Sequence, residues 1–258
     1  MKPLRFATAA LAATTVLAAC SGDSSGPSIA GRQVAFQLAT KPSTAAPSQA
    51  ALVGQEIIVA GSDTIVLTSV QIVLREIELK SVGGTVCDSA QGHDDCQEIE
   101  FGPTLLDLPL GAGAERQFTV AIDTGSYGKI EFEVHAPESG DSTDSAFVAL
   151  NPAFDGISIR VVGTYNGTAF TYTSDLDVEQ EYSFNPPLTV TETTGASVTL
   201  FADLNGWFLN QTADGLIDPR TANKGFPLEG EVKSNIETSL NAFEDDNHDG
   251  EDDHSTGS

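Results

Sequence analysis

Near its C-terminus the chain reads Asp245-Asp246-Asn247-His248-Asp249-Gly250-Glu251-Asp252-Asp253. The pattern D-x-N-x-D-G-x-x-D sets side-chain oxygens at positions 1, 3 and 5 and a glycine at position 6. A hard cation such as calcium takes an all-oxygen shell, and a glycine there lets the backbone turn sharply around it. Asp245, Asn247, Asp249 and Asp253 are therefore the candidate ligands for Ca2+, with an affinity on the order of 10⁻⁴–10⁻³ M, as in extracellular modules. Position 12, where a bidentate glutamate closes a complete shell, is Thr256. A run this acidic also reads as a solvated tail.

The other chemistry-bearing residues are three cysteines, Cys20, Cys87 and Cys96. Lys2 and Arg5 make a short positive head. The uncharged run from Phe6 to Ala19 follows and closes on Leu17-Ala18-Ala19-Cys20. That run is too short for a stable transmembrane helix. Beyond Cys20 the composition changes at once to Ser, Gly, Asp and Pro. The arrangement resembles the signal peptide of bacterial lipoproteins. The resemblance implies cleavage after residue 19, acylation of Cys20, and membrane attachment through that lipid, with residues 20–30 as a flexible tether. Stable anchoring takes more than one acyl chain, which lipoproteins supply. Ser21 in place of an aspartate implies, by the sorting rule of enteric bacteria, the outer membrane. The outer face of the cytoplasmic membrane is the alternative.

Export leaves Cys87 and Cys96 as an even pair in an oxidising compartment. They bracket a polar loop, 88–95, without strand pattern. A disulfide closing it contributes about 2–3 kcal/mol in the loop-entropy model. The rival is a metal site using both thiols with His93, although zinc clusters favour closer C-x-x-C spacing and a fourth ligand.

The formal net charge of −25 disfavours nucleic acid and attracts divalent cations. A hydrophobic content of 40% excludes wholesale disorder. There is no H-E-x-x-H, no G-x-S-x-G elbow and no phosphate-cradling glycine loop. Glu131 and Glu133 share one strand face and imitate a glycosidase pair, but alternating surface acids are commoner. His135 ends that strand, and its parity with Glu133 points it to solvent. No catalysis is expected from these residues.

The elements that must carry these groups read as strands. Val34, Phe36 and Leu38 alternate with polar neighbours, and 64–80 is one long strand. In it Val66, Thr68, Val70, Ile72 and Leu74 share a face before the apolar set moves to Ile77 and Leu79. Such a parity change predicts a β-bulge or bend. Ile130, Phe132 and Val134 alternate strictly with charged residues, giving one wet face. Asn166-Gly167 between two apolar runs predicts a hairpin. About ten strands with no strand–helix alternation predict an all-β antiparallel β-sandwich, prealbumin- or Ig-like, over residues 31–210.

Residues 211–244 are expected to hold a loop and one amphipathic helix. Ser234 and Glu237 have capping-box spacing, and Ile236, Leu240 and Phe243 repeat at helical intervals. Trp207 reads as a core plug. A helix running from 234 to 244 into the acidic segment 245–258 is similar to the entrance of an EF-hand or thrombospondin-type calcium loop. The long strand, the acidic loop and Gly125-Ser126-Tyr127 together resemble bacterial lipoproteins carrying a transthyretin-like (prealbumin-like) β-sandwich domain of unknown function, over residues 31–137. The resemblance implies the fold and brings no catalytic residues. The expected role is a lipid-anchored surface module that binds an unknown ligand or protein through its loops, or is purely structural. The alternatives are a cell-surface carbohydrate-active or other hydrolytic enzyme, and a scaffold subunit of an envelope assembly.

Overall fold

The computed structural model describes residues 31–41, 54–82, 96–99, 102–111 and 114–254. Its spine is β3 (Asp63–Ser81), nineteen residues long. Successive stretches of β3 pair with β2 (Glu56–Ala60), β4 (Cys96–Ile99), β5 (Thr104–Asp107), β7 (Gly125–Val134) and β8 (Ile159–Tyr165). A strand that long must bend to stay on one core, and β3 bends twice. Its inward residues are Ile65 and Leu67, then Val70, Ile72 and Leu74, then Ile77 and Leu79. Register shifts fall between Leu67 and Ser69 and between Arg75 and Ile77, the second at Glu76 with φ +55°. The bulge expected after Leu74 is therefore present. The earlier one reverses the expected facing of Val66 and Thr68, which are half-buried and exposed. One extra residue in a strand swaps its two faces.

β9 (Thr168–Ser174) pairs with β8, and β10 (Val178–Val190) pairs with β7, completing the larger sheet in the order β10-β7-β3-β8-β9. The β8–β9 turn is Asn166-Gly167, both with positive φ (47° and 78°), the two-residue type I′ turn whose twist matches paired strands.

The smaller sheet has the order β12-β11-β1-β6, built from β12 (Leu240–Glu244), β11 (Ala196–Ala202), β1 (Gln33–Thr40) and β6 (Ala114–Ala121). β1 and β11 run parallel, and the other described pairs are antiparallel. Val34, Phe36, Leu38, Val198 and Leu200 meet the larger sheet's Ile65, Leu67, Ile130 and Phe132 in one continuous core. The protein is an all-β sandwich with few helices.

Trp207 is a core plug as expected, fully buried with its Nε1 donating to Ser239 Oγ at 2.7 Å. The C-terminal helix is displaced from its expected span. α2 covers Glu229–Ser239 and buries Val232 and Ile236. Leu240 and Phe243 lie in β12 instead, where Leu240 and Ala242 alternate inward and pair along β11. A short apolar run fits either period, and the open edge of β11 decides for strand. A second short helix, α1 (Ser145–Leu150), lies between β7 and β8.

Candidate functional site

The acidic segment grows directly out of β12. The Asp245 amide donates to Ser197 O at 3.1 Å, extending the pairing with β11 by one residue. The chain then folds back over the outer face of the smaller sheet. That face explains the docking, because its outward residues Gln37, Ser197 and Thr199 are polar and buried. Buried polar groups need partners, and the segment supplies them. His248 Nδ1 sits 2.7 Å from Gln37 Nε2 and 3.2 Å from Ser197 Oγ. The Ser197 amide donates to Asp246 Oδ1 at 3.3 Å.

Asp245 is fully buried. A buried carboxylate survives only where donors replace its water. Its Oδ1 accepts from the Asp249 amide at 3.1 Å, and its Oδ2 accepts from the Gly250 amide at 3.0 Å and from Thr199 Oγ1 at 2.8 Å. The remaining candidates brace the same turn. Asn247 Oδ1 accepts from the Asp249 amide, and Asp249 Oδ1 accepts from the Glu251 amide. Asp253 accepts from Asn247 Nδ2 at 2.8 Å and from the Asp246 amide at 2.6 Å. The turn needs φ of 63° at His248 and 82° at Gly250, and the second falls to a glycine, which takes it without steric cost. All four predicted ligands therefore lie in one folded loop. Their carboxylates are not drawn to a single point in this structure, where each is engaged with loop amides or side chains.

Electrostatics leave this loop wanting positive charge. Burial raises the carboxyl pKa of Glu244 above its ordinary value although His254 Nε2 lies 2.7 Å away. Burial likewise raises Asp246, and the neighbouring Asp253 adds to it. The hydrogen bond to Glu244 raises the His254 imidazole. Each shift favours the form that lowers local negative charge.

The other predicted residues are placed differently. Cys20, Cys87, His93 and Thr256 lie outside the described residues. Cys96 begins β4 opposite Lys80, its backbone alone described. Glu131 and Glu133 are not a free acid pair: Glu131 bonds Lys80, and Glu133 is held by Arg75 Nε and Nη2 at 2.9 and 3.0 Å.

His135 is a correction to the sequence reading. It lies one residue past the end of β7, so strand parity no longer governs it, and it is only 7% exposed. Its Nε2 is 2.8 Å from Asp144 Oδ2, and its Nδ1 lies near Glu133 and Asp177. The four residues come from three segments that no spacing rule connects. The only sequence signal was a histidine adjoining a strand of alternating acids.

Comparison of the chain with protein-family models, with curated proteins and with solved structures found no match.

Proposed function

We propose that the protein is a lipid-anchored, surface-displayed binding or structural module of a bacterial envelope, with its C-terminal loop binding calcium. In this reading Cys20 carries the lipid, Cys87 and Cys96 close a disulfide-pinned loop, and Asp245, Asn247, Asp249 and Asp253 hold the ion. The observation that carries the calcium assignment is the fully buried carboxylate of Asp245, which accepts from the Asp249 and Gly250 amides of its own D-x-N-x-D-G turn. That frame supports the reading by fixing the first candidate ligand and the glycine turn beside the edge strand of the smaller sheet. A cation would replace the hydrogen bonds that now occupy Asn247, Asp249 and Asp253. Calcium then acts as a staple between the loop and the outer face of the smaller sheet.

Calorimetric titration of the purified chain with calcium tests this. The reading predicts saturable binding near one equivalent, in the range of about 10⁻⁴–10⁻³ M, and a rise in melting temperature. Heat that never saturates and vanishes in modest salt contradicts it, because diffuse attraction to acidic residues is screened.

A further inference from the structure

We propose that His135, Glu133 and Asp177 form a second, separate cation site, which takes a divalent transition ion of the zinc class. The site stands at the seam of the larger sheet. There β7 ends its pairing with β3 and β8 begins: the His135 amide donates to Val73 O, and the Val73 amide donates to Ser158 O. The chain crosses the same seam again between β9 and β10, which brings Asp177 beside Val178, the partner of Val134. Asp144, at the start of α1, comes from the connection between β7 and β8.

Asp144 fixes the chemistry of the imidazole. It is buried, and its Oδ2 lies 2.8 Å from His135 Nε2 while also accepting from the Glu138 amide. A carboxylate cannot donate, so Nε2 carries a proton, and Nδ1 is the nitrogen whose lone pair is left for a metal. That Nδ1 is buried with no hydrogen-bond partner, on a side chain only 9% exposed. It faces Glu133 Oε1 at 3.7 Å and Asp177 Oδ2 at 3.6 Å. These distances are too long for hydrogen bonds and suit ligands around a metal. Tetrahedral ligands about 2.0–2.1 Å from zinc lie roughly 3.3–3.5 Å apart, so a small contraction closes the shell. Among the described residues this is the only trio of His, Cys, Asp or Glu whose ligand atoms all fall within 4.8 Å of one another. The carboxylate–histidine–metal order is the one that orients histidine ligands generally.

Charge agrees with the assignment. Three carboxylates, Glu133, Asp144 and Asp177, surround the imidazole, beside one guanidinium, Arg75, which Glu133 shares with Glu76. The cluster keeps an excess of negative charge, which a divalent ion offsets. Arg75 grips Glu133 edge-on, so it positions this ligand while each carboxylate oxygen keeps a lone pair for the metal. Asp177 is 54% exposed, so an ion and a water ligand would reach the site from its side. A nitrogen ligand selects zinc, copper or nickel over calcium, which separates this site from the loop's all-oxygen candidate ligands.

The test is zinc titration of the full chain in excess calcium, followed by Co2+ substitution read by visible absorption. The proposal predicts one zinc equivalent and a tetrahedral cobalt spectrum. Asp177→Asn, on an exposed loop and so compatible with folding, weakens binding at least about tenfold, and His135→Gln abolishes it. Asp144→Asn costs about 10–100-fold, as loss of an orienting partner does. His254→Gln and His248→Gln leave the equivalent intact. No saturable zinc binding overturns the proposal, and so does binding that survives Asp177→Asn and His135→Gln or that is lost with His254→Gln or His248→Gln.

Discussion

Asp245 ties the acidic segment together and to the sheet through one buried carboxylate, which accepts from two amides of its own turn and from Thr199 Oγ1 of β11. Asp245→Ala strands Thr199 Oγ1 and the Gly250 amide, while the Asp249 amide keeps Asn247 Oδ1, and is expected to cost about 2–3 kcal/mol in chemical denaturation. Asp175 plays a comparable part elsewhere. Burial alone would raise its carboxyl, but Lys224 and Lys233 bond it and hold it down to about 2. A folded-state pKa below the unfolded value means stability present at neutral pH and lost as pH falls through the window from about 4 to about 2. The contribution is about 2 kcal/mol for a side chain mostly shielded from solvent. Asp175→Asn should flatten that part of the acid-unfolding curve, and a curve unchanged by the substitution would contradict the assignment. At this scale much was legible in the residues, since D-x-N-x-D-G marked the loop. His135 was not, because Asp144 and Asp177 reach it only through the sheet seam. A histidine just beyond a strand end has no parity to read.

At the scale of elements, the two bulges of β3 hold the larger sheet to one core. The first sets the Val66 carbonyl against Gly163 of β8, where a β-carbon would lie 2.2 Å from Val66 O. Gly163→Ala therefore forces backbone apart, and a loss of about 2–3 kcal/mol is expected in denaturant titration. The second bulge was visible beforehand because Arg75 and Glu76 interrupt the apolar alternation. The first was hidden because Val66, Thr68 and Val70 fit a continuous face as well as a broken one. Leu240 illustrates the same ambiguity between elements. Its spacing from Ile236 suits a helix, and its pairing with Ala202 across β11–β12 makes it strand. The Asn166-Gly167 hairpin needed no tertiary information, since its turn chemistry is local.

For the molecule as a whole, the two candidate cation sites divide by chemistry. The four candidate ligands of the loop on the smaller sheet are all oxygen donors, and the seam of the larger sheet offers a nitrogen held by a buried carboxylate. An excess of acid is tolerated where each group finds a donor or a partner, and calcium would supply what the loop lacks. Burial raises Glu244 and Asp246, so the folded loop binds protons more tightly than the unfolded chain does. Loop docking without calcium accordingly weakens as pH rises through their raised pKa values, and bound calcium would offset that loss at neutral pH.

The most direct measurement is amide hydrogen exchange of residues 245–254 at neutral pH, with and without calcium. The Asp249 and Gly250 amides, bonded to Asp245, should exchange more slowly than in a free peptide, and calcium should slow them further. Exchange at the free-peptide rate, unchanged by calcium, would show a solvated tail and contradict the central claim.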